Sequence, residues 1–262
     1  MKLIDSHCHF DFQIFETDRA QVWQRCVAKG ISQLIIPGVC KSQWQKLALL
    51  VDGQPHWHAA AGVHPWWVSK NCQEDEECIN EVQLNRALAE HLQQYRCIAV
   101  GECGLDAAIA TPLEKQIAVF KTQLEVASDL QLPLILHVHR AHNEVLKLLK
   151  LYPLPRGGVV HAFSGGEQMA MDYWKMGFYL GVGGTITYSR AAKTRKTVTR
   201  MPLESLILES DAPDMPLSGR QGQRNSPENL PLIAAELAAL RGISLQEIAS
   251  ATRKNTEILF TL

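Results

Sequence analysis

Six residues of this sequence have the side chains and the placement to hold divalent cations: His7, His9, Glu102, His137, His161 and Asp211. His7 and His9 are two apart. An extended chain alternates its faces, so both imidazoles point the same way and can grip one ion while Cys8 faces the other side. Glu102 closes Ala-Val-Gly-Glu, His137 lies in Leu-Ile-Leu-His, His161 ends Gly-Val-Val-His and Asp211 ends Leu-Glu-Ser-Asp. Four imidazoles and two carboxylates suffice for two ions that share a bridging carboxylate. The imidazoles favour zinc, manganese or iron over a site for magnesium alone. Such a pair would bring a shared water towards a neutral pKa and deliver hydroxide to phosphorus or a carbonyl carbon, with Asp211 as the expected general base. A lone histidine at a strand end is more often a hydrogen-bonded core residue, but so many coinciding polar ends would each need a separate accident of burial.

The elements that must position these residues can be marked from apolar, often β-branched runs at 2–9, 33–39, 56–64, 97–106, 132–139, 157–163, 178–185 and 205–211. Helical spacing predicts helices at 19–29, 42–51, 80–95, 113–130, 143–151, 167–176 and 190–200. Eight strands alternating with helices predict an α/β fold, a (β/α)8 TIM barrel in a single domain over 1–262, in which the C-terminal strand ends converge on one site. A doubly wound open sheet would give a similar string. The tail 227–262 adds two helices outside the barrel, divided at Gly242, which suits a C-terminal cap, and at Ser244 with Glu247 three residues on.

Other residues share the rim. Glu209 has the parity of Asp211, and Asp5 that of His7 and His9, so both are expected to orient ligands from behind. His64, in Gly-Val-His-Pro, ends the third strand as an expected substrate contact, or else anchors the turn before Pro65. After the seventh strand, Arg190, Lys193, Arg195, Lys196 and Arg200 form the strongest basic cluster, and loops there often bind phosphate in barrels. Arg190 and Arg224 are expected to touch substrate, Arg220 and Arg224 extending the positive rim; a solvated helix face is the plainer reading of the lysines. Trp66 and Trp67 could stack on a base, or pack on neighbouring helices.

A net charge of -1 and a pI near 6.8 exclude a protein coated with basic surface, so any polyanion must be held locally. The first residues meet a charge at once, and no apolar run is long enough to span a bilayer. Seven cysteines without a CxxC pair fit reduced thiols, Cys72 and Cys78 being read as unpaired surface thiols. A cytoplasmic monomer is expected.

The runs Ile-Asp-Ser-His-Cys-His-Phe, Gly-Val-His-Pro, Gly-Glu-Cys-Gly-Leu-Asp, Leu-His-Val-His, Val-His-Ala-Phe-Ser-Gly and Leu-Glu-Ser-Asp-Ala-Pro, in this order, resemble the TatD-type metal-dependent hydrolases and nucleases. The resemblance spans nearly the whole chain. It implies an amidohydrolase-like barrel, two divalent cations (zinc, manganese or magnesium), and hydrolysis of DNA or another phosphodiester, a 3'-5' exonuclease being one form. It gives one ion to His7, His9 and Asp211 and the second to His137 and His161, with Glu102 bridging. His139 stands where the family often has Arg, and 107–110 lack the family's polar and aromatic residues; both bear on how substrate is held. An amidohydrolase or lactonase is the competing enzyme, disfavoured by Glu102 where many such barrels carry a carbamylated lysine. A metal-binding interaction protein without turnover is the third reading.

Overall fold

A computed structural model describes residues 1–69 and 80–262; Cys72 and Cys78 lie outside the described residues. The strands are β1 (Leu3–Asp5), β2 (Ile31–Pro37), β3 (Trp57–Ala60), β4 (Val100–Asp106), β5 (Leu134–His139), β6 (Gly158–Val160), β7 (Phe178–Val182) and β8 (Leu206–Leu208). The helices are α1 (Arg19–Ala28), α2 (Lys41–Val51), α3 (Glu81–Gln94), α4 (Leu113–Asp129), α5 (His142–Leu151), α6 (Glu167–Lys175), α7 (Ala192–Arg200), α8 (Leu230–Arg241) and α9 (Leu245–Phe260). The chain divides into two compact units, Met1–Ile36 with His161–Leu262, and Pro37–Val160.

In the first unit β1 pairs with β2 and β7 with β8, all parallel. The Ser6 N–H donates to the Leu208 carbonyl at 3.0 Å, which sets β8 beside β1 and gives the order β7-β8-β1-β2. Leu206, Ile207 and Leu208 are buried on both faces, as expected of a parallel strand covered by helices. That cover comes from the C-terminal helices. Buried Ile248, Leu259 and Phe260 give α9 its apolar stripe, and α9 packs on β1 and β8. Asn255 donates to the carbonyls of Leu203 and Leu206 at 2.9 and 2.8 Å. Gly242 ends α8 in the left-handed conformation at φ 66, and Ser244 with Glu247 forms a reciprocal capping box on α9.

The second unit is another run of four parallel strands. Ala61, just past β3, bridges to Val100, β4 pairs with β5, and β5 with β6. Leu134, Ile135 and Leu136 are fully buried, each contributing about 1.5–3 kcal/mol of apolar burial. Helix α4 lies over β4 and α3 and buries Phe120, Leu124 and Ala127, but also Gln116 and Gln123. Gln123 accepts from the Val63 N–H at 2.7 Å and donates to the Val63 carbonyl at 3.1 Å. Gln116 accepts from the Asp106 N–H at 2.8 Å and donates to the Asp106 carbonyl at 3.0 Å. These amides, seven residues apart, satisfy backbone past β3 and at the end of β4 and so fix the segments that follow.

Gly104 shows how closely the strands approach. Its φ is +140, and a Cβ there would lie 2.0 Å from the carbonyl oxygen of His137 on β5. Gly181 on β7 is also close-packed, since a Cβ would sit 2.2 Å from Oε2 of Glu209. Among the described residues no helix is long and apolar enough to cross a membrane.

Candidate metal centre

The expected first strand, 2–9, ends as a ladder at Asp5, and the expected eighth, 205–211, ends at Leu208. The ligand candidates lie just beyond. There the backbone pairing continues irregularly: the Asp211 N–H donates to the His7 carbonyl at 2.9 Å and the His9 N–H to the Ala212 carbonyl at 2.7 Å. Asp211 has φ 55, a left-handed conformation that Asp tolerates better than most residues. Asn225, itself buried, donates to the carbonyls of Ser210 and Asp214 at 2.8 Å and ties down the loop behind.

In the first unit three donor atoms converge. His7 Nε2 lies 3.3 Å from His9 Nε2 and 3.5 Å from Asp211 Oδ1, and His9 Nε2 lies 3.8 Å from the same oxygen. Bonds of about 2.0–2.2 Å from one cation to two imidazoles and a carboxylate would hold such atoms at about these separations. The donor set therefore fits a divalent cation. The ring of His161 stacks on that of His7, centroids 4.0 Å apart and planes within 14°. Its Nδ1 is 3.5 Å from Oε1 of Glu209, the oxygen that also accepts from the Ala162 N–H. Glu209 thus sits behind a candidate ligand. Asp5 accepts from the Ser210 and His7 N–H groups at 2.9 and 3.3 Å and clamps the two strand ends together. Burial raises its pKa to about 7, against the lowering effect of its hydrogen bonds to Ser210 and His7, with nearby Glu209 adding to the rise.

The second unit builds its own cluster. Glu102 Oε1 lies 3.1 Å from His137 Nδ1 and 3.4 Å from His64 Nε2, and the His64 and His137 rings are 4.2 Å apart. His64 Nδ1 accepts from the Trp66 N–H at 3.1 Å. In a neutral ring the proton is then on Nε2, facing Glu102, which suits a hydrogen-bond donor better than a metal ligand. Asp106, which sequence reasoning missed, lies 3.5 Å from His137 Nε2 through Oδ2 and 3.0 Å from His139 Nδ1 through Oδ1. Burial pushes this carboxyl up, but its contacts with His137, Trp66 and the Ala108 N–H outweigh that and hold it well below the usual carboxylate range. The signal was present: Asp106 shares the parity of Glu102 and lies in register with His139. Gln116, Gln123 and Asn225 were missed as well, their only mark being polar side chains where burial is expected.

The arginines separate. Arg190 is exposed, its guanidinium 4.7 Å from the centre of the Tyr188 ring. Arg224 instead makes paired contacts with Asp18 at 2.6 and 3.0 Å, donates to the Ile14 carbonyl and lies 4.6 Å over Phe15. Arg220 donates to Asn229, Arg195 to Glu236 and Arg200 to Glu167. Of the expected basic rim, these four guanidiniums are engaged within the protein. Five cysteines, Cys8, Cys26, Cys40, Cys97 and Cys103, are free and buried.

A family model described as TatD related DNase matches residues 4–261. The chain is 41% identical over 262 residues to the uncharacterized metal-dependent hydrolase YjjV of Escherichia coli (strain K12), covering 100% of this chain and 98% of that protein. It is 34% identical over 255 residues to the 3'-5' ssDNA/RNA exonuclease TatD of Citrobacter rodentium (strain ICC168), covering 94% and 93%. The crystal structure of the Escherichia coli TatD homologue YjjV matches with a TM-score of 0.91 over 99% of this chain and 98% of that one, at 41% identity. A hydrolase TatD family protein from Entamoeba histolytica, 20% identical, has the same fold at a TM-score of 0.82 over 99% and 98%. The α/β fold found here, parallel strands alternating with helices, matches these TatD structures, which are TIM barrels. The chain belongs to the TatD related DNase family of metal-dependent hydrolases.

Proposed function

We propose that this chain is a metal-dependent phosphodiesterase that cuts single-stranded nucleic acid from an end, as the name of the Citrobacter relative describes for that protein. The observation that carries the reading is the convergence of His7 Nε2, His9 Nε2 and Asp211 Oδ1, a site for a divalent cation in a chain of this family. Two cations are proposed, zinc, manganese or magnesium, drawing on His7, His9, Glu102, His137, His161 and Asp211. When bound, divalent cations supply Lewis acidity that makes water a stronger acid and neutralises charge on a phosphoryl group.

The protein's own groups do the rest. Asp211 presents a carboxylate oxygen beside His7 and His9 and accepts the proton of the attacking water. Glu209 orients the His161 ring and Asp106 the His137 ring, each through one of the two ring nitrogens. His64, its Nδ1 occupied by the Trp66 N–H and its Nε2 turned towards Glu102, is held at the rim as a substrate contact. Arg190, exposed after β7, supplies the grip on the nucleic-acid backbone that an overall charge of -1 does not. Buried, reduced thiols support a cytoplasmic address.

The test is metal analysis joined to a cleavage ladder: protein loaded with magnesium, manganese or zinc is offered end-labelled single-stranded oligonucleotides and a panel of lactones and amides. Stepwise shortening of the oligonucleotide and about two bound ions per chain are expected. Turnover of the carbonyl panel alone would retire the nuclease reading.

A further inference from the structure

At the C-terminal ends of β4 and β5 one buried carboxylate holds two open rings. Asp106 is 1% exposed, whereas Trp66 is 56% exposed and the His139 side chain 52%. Trp66 Nε1 donates to Asp106 Oδ2 at 2.7 Å, and His139 Nδ1 lies 3.0 Å from Oδ1, which also accepts from the Ala108 N–H at 2.9 Å. An ionised carboxylate only accepts, so the proton of His139 is on Nδ1 and its Nε2 is left on the outer edge. The carboxylate cannot drift, because Gln116 holds the Asp106 backbone on both sides.

Tryptophan usually hides its ring and lets the N–H find a partner at the wet end. Here the arrangement is reversed: the N–H is tied to a buried acid and the apolar ring faces out. Trp66 also stands edge-on to His64, centroids 5.6 Å apart, and His64 in turn meets Glu102. The open rings therefore adjoin the groups assigned above to substrate and cation. A rigid, exposed indole in that position has the properties of a base-stacking surface.

We propose that Trp66 and His139, both held by Asp106, form the subsite for the terminal nucleobase of the strand being cut. This rests on the nuclease reading, with Trp66 and His139 as contacts and Asp106 as a positioning residue.

The experiment is a fluorescence titration of metal-loaded protein with a short single-stranded oligonucleotide whose terminal linkages are phosphorothioate and resist cutting, compared with the same oligonucleotide ending in an abasic nucleotide. Trp66→Ala should weaken binding of the base-ended strand about tenfold and leave the abasic strand unaffected. His139→Ala should do the same more mildly. Asp106→Asn should reproduce part of the loss, since an amide nitrogen cannot accept from the indole or the imidazole, and with ordinary substrate the loss in Trp66→Ala should fall on KM rather than kcat. Because the Trp66 and His139 rings are exposed, their removal tests the subsite even if Asp106→Asn folds poorly. Equal affinity of wild type for the two strands, or base-ended binding unchanged in Trp66→Ala, overturns the subsite and leaves the nuclease reading standing if cutting proceeds. Failure of the wild type to bind or cut any oligonucleotide overturns both.

Discussion

Replacing Gly104 with Ala should disturb the fold and the site together. The added Cβ would lie 2.0 Å from the His137 carbonyl oxygen, against about 3.3 Å for a tolerable carbon–oxygen contact, so β4 and β5 must part by more than about 1 Å or bend. Backbone at φ +140 is a region that side chains with a Cβ rarely adopt, which adds strain of about 1–3 kcal/mol. Overpacking a well-filled interior adds about 1–3 kcal/mol more. The sum, about 2–6 kcal/mol, is a large part of the 5–15 kcal/mol that ordinarily holds a domain together, and corresponds to a fall in Tm of at least about 4 °C. Because the displaced atom belongs to His137, whose Nδ1 lies 3.1 Å from Glu102, zinc affinity should weaken too. Differential scanning calorimetry and a competitive zinc titration read the two effects separately. A Tm within about 1 °C of wild type, with zinc affinity intact, would refute the close strand approach on which the reasoning depends.

Asp211→Asn should retain metal, since His7 and His9 remain, while kcat falls by about 10²–10⁴; turnover near wild type with metal bound would remove Asp211 as the base. The hydrogen bond from Arg224 holds the Asp18 carboxyl below its ordinary range, so its stabilising contribution is complete above that range and is lost as the pH falls through the lowered value. The Tm gap between wild type and Asp18→Asn should therefore be open at neutral pH and close in acid; a gap that is constant with pH would contradict this. Removing metal with a chelator should lower Tm, and re-adding zinc at a hundredfold over its Kd should restore about 2.7 kcal/mol, as followed by thermal melts.

Much of this was legible in the sequence, and the reasons differ by residue. His7, His9, Glu102, His137, His161 and Asp211 stood out because charged or ring-nitrogen side chains at the ends of apolar runs have no cheap alternative role. The capping boxes and Gly242 were legible because they depend on neighbours in sequence. What escaped depends on partners far along the chain. The expected strand 157–163 shrinks to Gly158–Val160, since the Ala162 N–H goes to the Glu209 carboxylate and not to a neighbouring strand. Arg224 read as a substrate contact because charge alone was visible, while Asp18, its partner across 206 residues, was not. Asp106 was passed over as the end of a motif, although its register opposite His139 makes it the anchor of the rim.

The clamp from Asp5 to the Ser210 N–H, 2.9 Å long and spanning 205 residues, also bears on how the molecule comes into being. On the ribosome, His7 and His9 emerge about 200 residues ahead of their carboxylate partner Asp211. A nascent or prematurely terminated polypeptide thus carries a paired imidazole motif with nothing to complete it. Contacts of such long span make for slow assembly, and they leave the capacity to take up metal as a property acquired only once Asp211 has been made.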